Sequence, residues 1–215
     1  MASSLNISLL ALVVWLSLAA FPVILLAAEA EHSPQLTAYF GQGADANLVD
    51  LFPKALQGEL EMENTRLYAL GYFQPFTTPG LLQKAFDFLL ISNTRTGFET
   101  VVGKHQGLQH NWEADVAWQL RFAPLRLGPL DIRPGVGLGF SYALGRPTYE
   151  DGPENNPEKR YRFQNFNIYE LEWSLPAASR LALVTRIHHR SGMYGIIAPR
   201  RVGSNFLTLG LRYSF

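Results

Sequence analysis

Residues 112–122 alternate between two kinds of side chain at every position. The apolar positions are Trp112, Ala114, Val116, Trp118, Leu120 and Phe122. The positions between them are Glu113, Asp115, Ala117, Gln119 and Arg121. Because successive side chains of a strand point to opposite faces, this period of two predicts a β-strand with one apolar and one ionic face. Such a strand has to lie between two different environments.

The segment 131–142 repeats the alternation with a different second face. One face holds Ile132, Pro134, Val136, Leu138, Phe140 and Tyr142. The other face holds Asp131, Arg133, Gly135, Gly137, Gly139 and Ser141. Glycine inside a strand commonly marks a close approach of neighbouring groups, so we predict that this small face points into a crowded interior.

Less regular alternation predicts six further strands, at 35–41, 65–73, 98–105, 166–173, 181–191 and 205–215. The total is then eight, an even number that is typical of single-chain outer-membrane barrels. Closure would remove the unpaired strand edges that a bilayer does not tolerate. The predicted fold is therefore an eight-stranded antiparallel transmembrane β-barrel of a Gram-negative outer membrane.

The position of the charges separates this fold from soluble alternatives. The predicted inward set contains four acids and four bases: Glu113, Asp115, Arg121, Arg133, Glu170, Glu172, Arg186 and Arg212. A balanced set can pair inside a narrow lumen, whereas unpaired buried charge is costly. A soluble lipocalin-like barrel would turn its apolar face inward, and a soluble sandwich would leave the outward aromatic residues without a reason. A porin is disfavoured because side chains fill an eight-stranded lumen.

Composition excludes several kinds of function. Eighteen basic residues balance eighteen acidic ones, so no net field attracts nucleic acid. Cysteine is absent, which excludes disulfides, thiolate catalysis and cysteine-ligated metal. We predict no cofactor and no metal site, because His105 and His110 flank a predicted turn that is more simply interpreted as solvated.

The chain begins with an almost wholly apolar run over 5–28, followed by small residues at Ala28 and Ala30. This pattern predicts a signal peptide over 1–30, cleaved after Ala30 or Ala28, and an outer-membrane barrel domain over 31–215. No Lys or Arg precedes the apolar run, so a retained transmembrane helix is the alternative.

The C-terminal strand and the lengths of the connections orient the predicted barrel. The last strand alternates up to its end, with Leu207, Leu209, Leu211, Tyr213 and Phe215 on one face. This pattern looks like the signal by which the outer-membrane assembly machinery recognises barrels. If Phe215 ends in the periplasm, the connections at 124–130 and 174–180 are short and periplasmic, and 144–164 is long and extracellular. The periplasmic connection 74–95 is unusually long, and its residues 81–91 suit a short amphipathic helix.

One pair of residues on the strand 181–191 could be reactive. Alternation places His189 and Ser191 on the same face as Leu181, Leu183 and Ile187, which identifies this face as lipid-facing. Residues two apart on a strand are roughly 6.6–7 Å apart at the backbone, so the imidazole could take the proton of the serine hydroxyl as it attacks an ester. The alternative is structural, since polar residues are tolerated where the strand meets the interface.

Several short segments resemble the lipid A 3-O-deacylase (PagL) and PagL-like acyloxyacyl hydrolase family: 186–192, 103–107, 110–113 and 210–215. The resemblance implies an outer-membrane esterase that removes the 3-O-linked acyl chain of lipid A. It also implies that Ser191 is the nucleophile and His189 the base. The implied partner is lipopolysaccharide in the outer leaflet, and the sequence leaves homodimer formation open. The alternative is a non-enzymatic small barrel with a structural or ligand-binding role.

The sequence departs from the family pattern at two places. The family glutamate that orients the histidine falls, about twelve residues past the serine, at Gly203, and Gly192 stands where the family has an asparagine. Asn205 shares the outward register of the last strand, and we predict that its amide oxygen orients the imidazole. The predicted substrate-binding residues are Gly192, Arg200 and Arg201, with the two arginines directed at lipid A phosphates.

Overall fold

The computed structural model describes residues 33–88, 94–150, 152–153, 155–175 and 180–215. Nine strands occur in the described chain: β1 Gln35–Ala44, β2 Met62–Phe76, β3 Arg95–Gly107, β4 Trp112–Arg121, β5 Leu125–Leu127, β6 Leu130–Ala143, β7 Phe163–Ser174, β8 Leu181–Ser191 and β9 Gly203–Ser214. The predicted signal peptide and the beginning of the predicted barrel domain lie outside the described residues.

The strands form a closed antiparallel barrel. Each long strand pairs with its neighbour along the chain, β4 pairs with β6, and β1 pairs with β9 to close the ring. The short β5 only extends the turn that leads into β6, so eight strands make the wall. The eight-stranded barrel predicted from alternation is confirmed. We call the end where Gln35 lies opposite Ser214 the terminal end, and the other end the loop end.

Strand lengths differ from the predicted ones mainly at the polar ends. The β2 strand is Met62–Phe76 rather than 65–73, and β7 is Phe163–Ser174 rather than 166–173. The backbone ladder continues past the apolar band because antiparallel pairing does not depend on the side chains being apolar. The predicted bounds of β8, Leu181–Ser191, are those observed.

Two helices lie in the connections. Helix α1, Leu51–Gln57, lies between β1 and β2, was not predicted from the sequence, and ends at Gly58 with a left-handed φ of 73°. Helix α2, Gly80–Phe88, lies between β2 and β3 and corresponds to the helix predicted over 81–91, whose last residues are not described. In the described parts of the chain, no helix is both long and apolar enough to cross a bilayer.

The outer wall of the barrel is apolar and carries aromatic residues towards both ends. Near the loop end these are Phe40, Tyr68, Trp112, Phe140, Tyr142 and Phe163. Near the terminal end they are Tyr72, Phe98, Tyr213 and Phe215. Exposed aliphatic side chains such as Leu70, Val102 and Leu138 lie between the two groups. An apolar band between two aromatic girdles is the exterior of a transmembrane barrel.

The lumen holds the charged side chains, as the alternation predicted. All eight residues of the predicted inward set are buried. Arg186 lies 2.7 Å from Glu99 and 2.6 Å from Glu170, and Arg212 lies 3.0 Å from Glu170. The glycine face of β6 also points inward, where a Cβ on Gly135 would lie 2.9 Å from the Glu170 side chain.

Candidate active site on the outer wall

Polar side chains interrupt the apolar outer wall on three neighbouring strands near the loop end. This outer polar patch consists of Asn165 and Asn167 on β7, His189 and Ser191 on β8, and Asn205 on β9. In the strand register Ser191 lies beside Asn165, and His189 lies between Asn167 and Asn205. Towards the terminal end the same face continues with Tyr169, Leu171, Leu183, Ile187, Leu207 and Leu209.

The imidazole of His189 is held by an amide. His189 Nδ1 lies 2.7 Å from Asn205 Oδ1, and Asn205 Nδ2 donates to the carbonyl oxygen of Ala46 at 2.7 Å. A carbonyl can only accept, so the Ala46 bond fixes which end of the amide faces the histidine. Nδ1 therefore carries the proton and donates it to Asn205, which leaves the lone pair of Nε2 free to act as a base.

Ser191 lies two residues along the strand on the same face. Its Oγ accepts a hydrogen bond from Met193 N at 3.4 Å, and no bond to His189 occurs between these two described residues. The hydroxyl has to rotate towards Nε2 for proton transfer, and catalytic hydrogen bonds often tighten only when substrate is bound. Serine and histidine thus lie on one face, two residues apart, without a hydrogen bond between them.

The turn after Ser191 has an unusual backbone. Met193 and Tyr194 are consecutive non-glycine residues with left-handed φ values of 50° and 55°. Each such residue costs about 1–3 kcal/mol, and such strain clusters at functional sites. In this turn the backbone conformation directs the Met193 N–H at Ser191 Oγ. From there the N–H could also donate to the negative charge that develops on a reacting carbonyl oxygen.

The two glycines at the family positions have steric roles. Gly203, at the position of the family glutamate, lies opposite Ser191 with φ 150°, and a Cβ there would be 2.1 Å from the Arg190 carbonyl oxygen. No side chain fits at this position without a backbone shift. Gly192 N–H donates to Val202 O, and a Cβ on Gly192 would be 2.2 Å from the Ala198 carbonyl oxygen. Gly192 therefore allows the turn to close, and its own N–H is already engaged.

Asn165 and Asn167 were missed by the sequence analysis. Asn165 Nδ2 donates to Asn167 Oδ1 at 2.8 Å, and Asn165 is 2% exposed although it lies on the outer face. The signal was available, because both asparagines share the parity of outward-facing Tyr169. Their proximity to Ser191 and His189 depends on the pairing between β7 and β8, which a single strand's pattern does not reveal.

A basic cleft lies in the β6–β7 connection at the loop end. It has a volume of about 400 Å³ and is lined by Gly145, Arg146, Pro147, Glu158, Arg160 and Arg162. Three guanidinium groups face one carboxylate there, and Arg162 stacks on outward-facing Tyr142 at 4.8 Å. Arg162 precedes Asn165 by three residues, which corresponds to about 10 Å along a strand. This cleft was not predicted.

The predicted phosphate ligands Arg200 and Arg201 are exposed in the β8–β9 connection. Arg200 Nε donates to Tyr194 O at 3.4 Å, which ties the arginine to the turn that follows Ser191. The predicted solvated turn is correct for His110, which is exposed, and wrong for His105. His105 points into the lumen, where its Nε2 lies 3.2 Å from Glu113.

Comparison with known proteins gives a likeness of fold. No protein-family model matches the chain, and no curated protein matches it either. Among solved structures, the outer membrane enzyme PagL is similar with a TM-score of 0.53 at 9% identity, over 84% of this chain and 99% of PagL. This likeness shows that the chain shares its barrel fold with an outer-membrane protein.

Two further solved structures are matched with lower scores. The N-terminal β-barrel domain of OprF from Pseudomonas aeruginosa has a TM-score of 0.44 at 10% identity, over 87% of this chain and 100% of that domain. The outer membrane protein AlkL, determined in lipid bilayers, has a TM-score of 0.33 at 14% identity, over 91% of this chain and 95% of AlkL. The function therefore has to be argued from the site.

Proposed function

We propose that the protein is an outer-membrane esterase that removes the 3-O-linked acyl chain of lipid A at the outer polar patch. The observation that carries the proposal is the chain of contacts from Ala46 through Asn205 to His189 Nδ1. It leaves a base with a free Nε2 on the lipid-facing wall, two residues from a serine. A purely structural pair of polar residues would not require this orientation.

The proposed reaction follows serine hydrolase chemistry. Ser191 Oγ attacks the ester carbonyl carbon while His189 Nε2 takes the hydroxyl proton, and the proton then passes to the departing sugar oxygen. Water, activated by the same imidazole, hydrolyses the acyl-enzyme to the free fatty acid. Met193 N–H is proposed to donate to the oxyanion, because it already points at Ser191 Oγ. Asn205 is a positioning residue, since it acts through His189.

The surroundings of the patch suit an amphiphilic substrate. Below the patch the wall is apolar, and the turn after Ser191 exposes Tyr194 and Ile196, which are 87% and 77% accessible. Acyl chains would lie against this surface. The basic cleft, with Arg200 and Arg201, would receive the phosphates of the headgroup.

The location and partners belong to the same proposal. The aromatic girdles fit a bilayer, and we propose the outer membrane of a Gram-negative bacterium, with the loop end facing outward and lipopolysaccharide beside the wall. The alternating last strand, which ends at Phe215, would engage the barrel assembly machinery. Whether two copies associate is left to measurement of the mass of the detergent-solubilised protein.

Mass spectrometry of lipid A tests the function. Cells would express the wild type, Ser191→Ala, His189→Ala or the control Thr185→Ala, whose hydroxyl faces outward on the same strand and accepts from Trp173 Nε1 at 3.0 Å. We expect lipid A to lose one 3-hydroxyacyl chain with the wild type and Thr185→Ala, and to be intact with the other two variants. Intact lipid A in cells that carry a correctly folded wild type would exclude the deacylase.

One observation favours a non-enzymatic barrel. Ser191 Oγ accepts from Met193 N–H, so the hydroxyl also serves to hold the strained turn. On that reading, Ser191→Ala would lower the melting temperature and wild-type cells would have unaltered lipid A. The same set of variants therefore separates the two functions.

A further inference from the structure

The loop-end half of the lumen holds a second cluster of ionisable side chains, separate from the outer polar patch. This upper ionic cluster consists of His105, Glu113, Asp115, Glu150, His188 and Arg190. All six residues are at most 6% exposed. They come from β3, β4, β8 and the β6–β7 connection.

The charges of the upper ionic cluster do not balance. It contains three carboxylates and one guanidinium, Arg190, which contacts Glu113 at 2.9 Å and also Glu150. Near the terminal end, by contrast, three buried carboxylates face four buried arginines: Glu99, Glu170, Glu172, Arg121, Arg133, Arg186 and Arg212. Uncompensated charge in such a lumen is costly. With all three carboxylates ionised and both histidines neutral, two further positive charges are needed to make the upper ionic cluster neutral.

Asp115 is the carboxylate that the protein leaves without compensation. Both of its oxygens are buried, and no hydrogen bond of normal geometry reaches them although Ser141 lies directly across the strand pair. Glu113, by contrast, is contacted by Arg190, by His105 at 3.2 Å and by His188 at 2.7 Å. Asp115 Oδ2 nevertheless points at the same imidazole nitrogen, and it lies 3.7 Å from His188 Nε2. An unpartnered buried carboxylate is thus aimed at the contact between His188 and Glu113.

The three side chains are arranged as ligands. Glu113, Asp115 and His188 each offer one ligand atom, and these atoms lie within 4.8 Å of one another. Metal–ligand bonds to imidazole nitrogen and carboxylate oxygen are about 2.0–2.2 Å, so small rotations would place all three around one ion. His105 would then be the outer partner that orients Glu113, as such second partners do in metal sites.

We propose that the upper ionic cluster binds one divalent transition-metal ion, with Glu113, Asp115 and His188 as its ligands. Two positive charges balance the cluster, because three carboxylates then face Arg190 and the ion. An imidazole with two carboxylates suits Zn²⁺ or Mn²⁺ better than Mg²⁺ or Ca²⁺, which prefer oxygen ligands alone. The ion displaces the proton between His188 and Glu113, so binding weakens as the pH falls. The site is independent of the outer polar patch and of the proposed esterase.

The test uses the full barrel without a histidine tag, refolded into detergent after EDTA treatment, with Zn²⁺, Mn²⁺, Mg²⁺ or no metal. Elemental analysis after desalting and the melting temperature are the two measurements. We expect one equivalent of Zn²⁺ or Mn²⁺ per barrel, a melting temperature several degrees higher than without metal, reversal by EDTA, and no effect of Mg²⁺. Lipid A hydrolysis is not part of the readout, so failure of the esterase proposal leaves this result unaffected.

Matched variants locate the ion. Asp115→Asn and His188→Gln should lose the bound equivalent, whereas the exposed His110→Gln and the terminal-end Asp131→Asn should retain it. Loss of the metal in His110→Gln would mean adventitious surface binding and would overturn the proposal. If the two ligand variants do not fold, the wild type decides alone. An unchanged melting temperature and no bound metal above the blank would mean that protons balance the cluster, and would overturn the proposal.

Discussion

Removing the amide of Asn205 is the sharpest test of the proposed catalytic arrangement. In the resting site the hydrogen bond from His189 Nδ1 to Asn205 Oδ1 joins two neutral groups across 2.7 Å. In the transition state the imidazole becomes positively charged, and a hydrogen bond to a charged group contributes about 1.5–3 kcal/mol. Asn205→Ala removes this contribution together with the restraint on ring orientation. We expect kcat to fall about 10- to 100-fold, which corresponds to about 1.4–2.8 kcal/mol.

The assay measures initial rates of 3-hydroxy fatty acid release from purified lipid A in mixed micelles. Because Asn205 is bonded through both ends of its amide to His189 and Ala46, we expect kcat to fall while KM is unchanged. The control Thr185→Ala should behave as the wild type. Melting temperatures establish that each variant is folded. A folded Asn205→Ala enzyme with kcat within about twofold of the wild type would refute the role assigned to this amide.

Three further predictions concern neighbouring features. Gly203→Glu places an acid at the position of the family glutamate, and its Cβ would clash with the Arg190 carbonyl oxygen. It should therefore prevent efficient folding, measured by heat-dependent gel migration. Normal folding would contradict the strand register. Burial raises the pKa of Glu150 to about 7. Its protonation therefore contributes at most about 3 kcal/mol to the free energy of unfolding. This contribution is complete near pH 4 and is lost as the pH rises through 7. Urea unfolding should show this decline for the wild type and a smaller one for Glu150→Gln; parallel profiles would argue against it. Arg162→Ala should raise KM for bisphosphorylated lipid A about three- to tenfold, because one ionic hydrogen bond is lost. The increase in KM should be smaller for dephosphorylated lipid A. The control Arg126→Ala, at the terminal end, should leave KM unchanged for both substrates.

Much of the fold could be predicted because a barrel wall has a simple rule. Two different environments impose a period of two, and this alone identified the inward face of β4 and the outward position of Asn205, counted back from Phe215. The same parity would have turned His105 inward with Val101 and Gly103. His105 was instead assigned to a solvated turn, because the predicted strand ended at residue 105, whereas β3 continues to Gly107.

The rest of the site depends on contacts that no single strand encodes. Asn165 comes beside Ser191 only through the register of β7 against β8. The bond from Asn205 to Ala46 joins residues that are 159 positions apart, and it depends on how the connection after β1 folds over the wall. Long-range pairings of this kind are set by closure of the barrel, so alternation predicts which face a residue occupies and not which neighbour it meets.

In the proposed site an amide takes the orienting role that a carboxylate has in most serine hydrolases, and the surroundings of Asn205 suit an amide. A carboxylate on the lipid-facing wall would have to be desolvated beside apolar side chains, a much larger cost than that of burying a hydrogen-bonded amide. Asn205 is 5% exposed and uses both ends of its amide, so it meets this constraint. An amide ordinarily risks presenting its nitrogen to the histidine, which would force the wrong tautomer. The Ala46 carbonyl removes that risk, and what is lost is only the extra stabilisation that a negative charge gives to the imidazolium. We therefore expect a slow hydrolase in which Asn205 orients the histidine and the Ser191 hydroxyl turns towards His189 Nε2 when substrate binds.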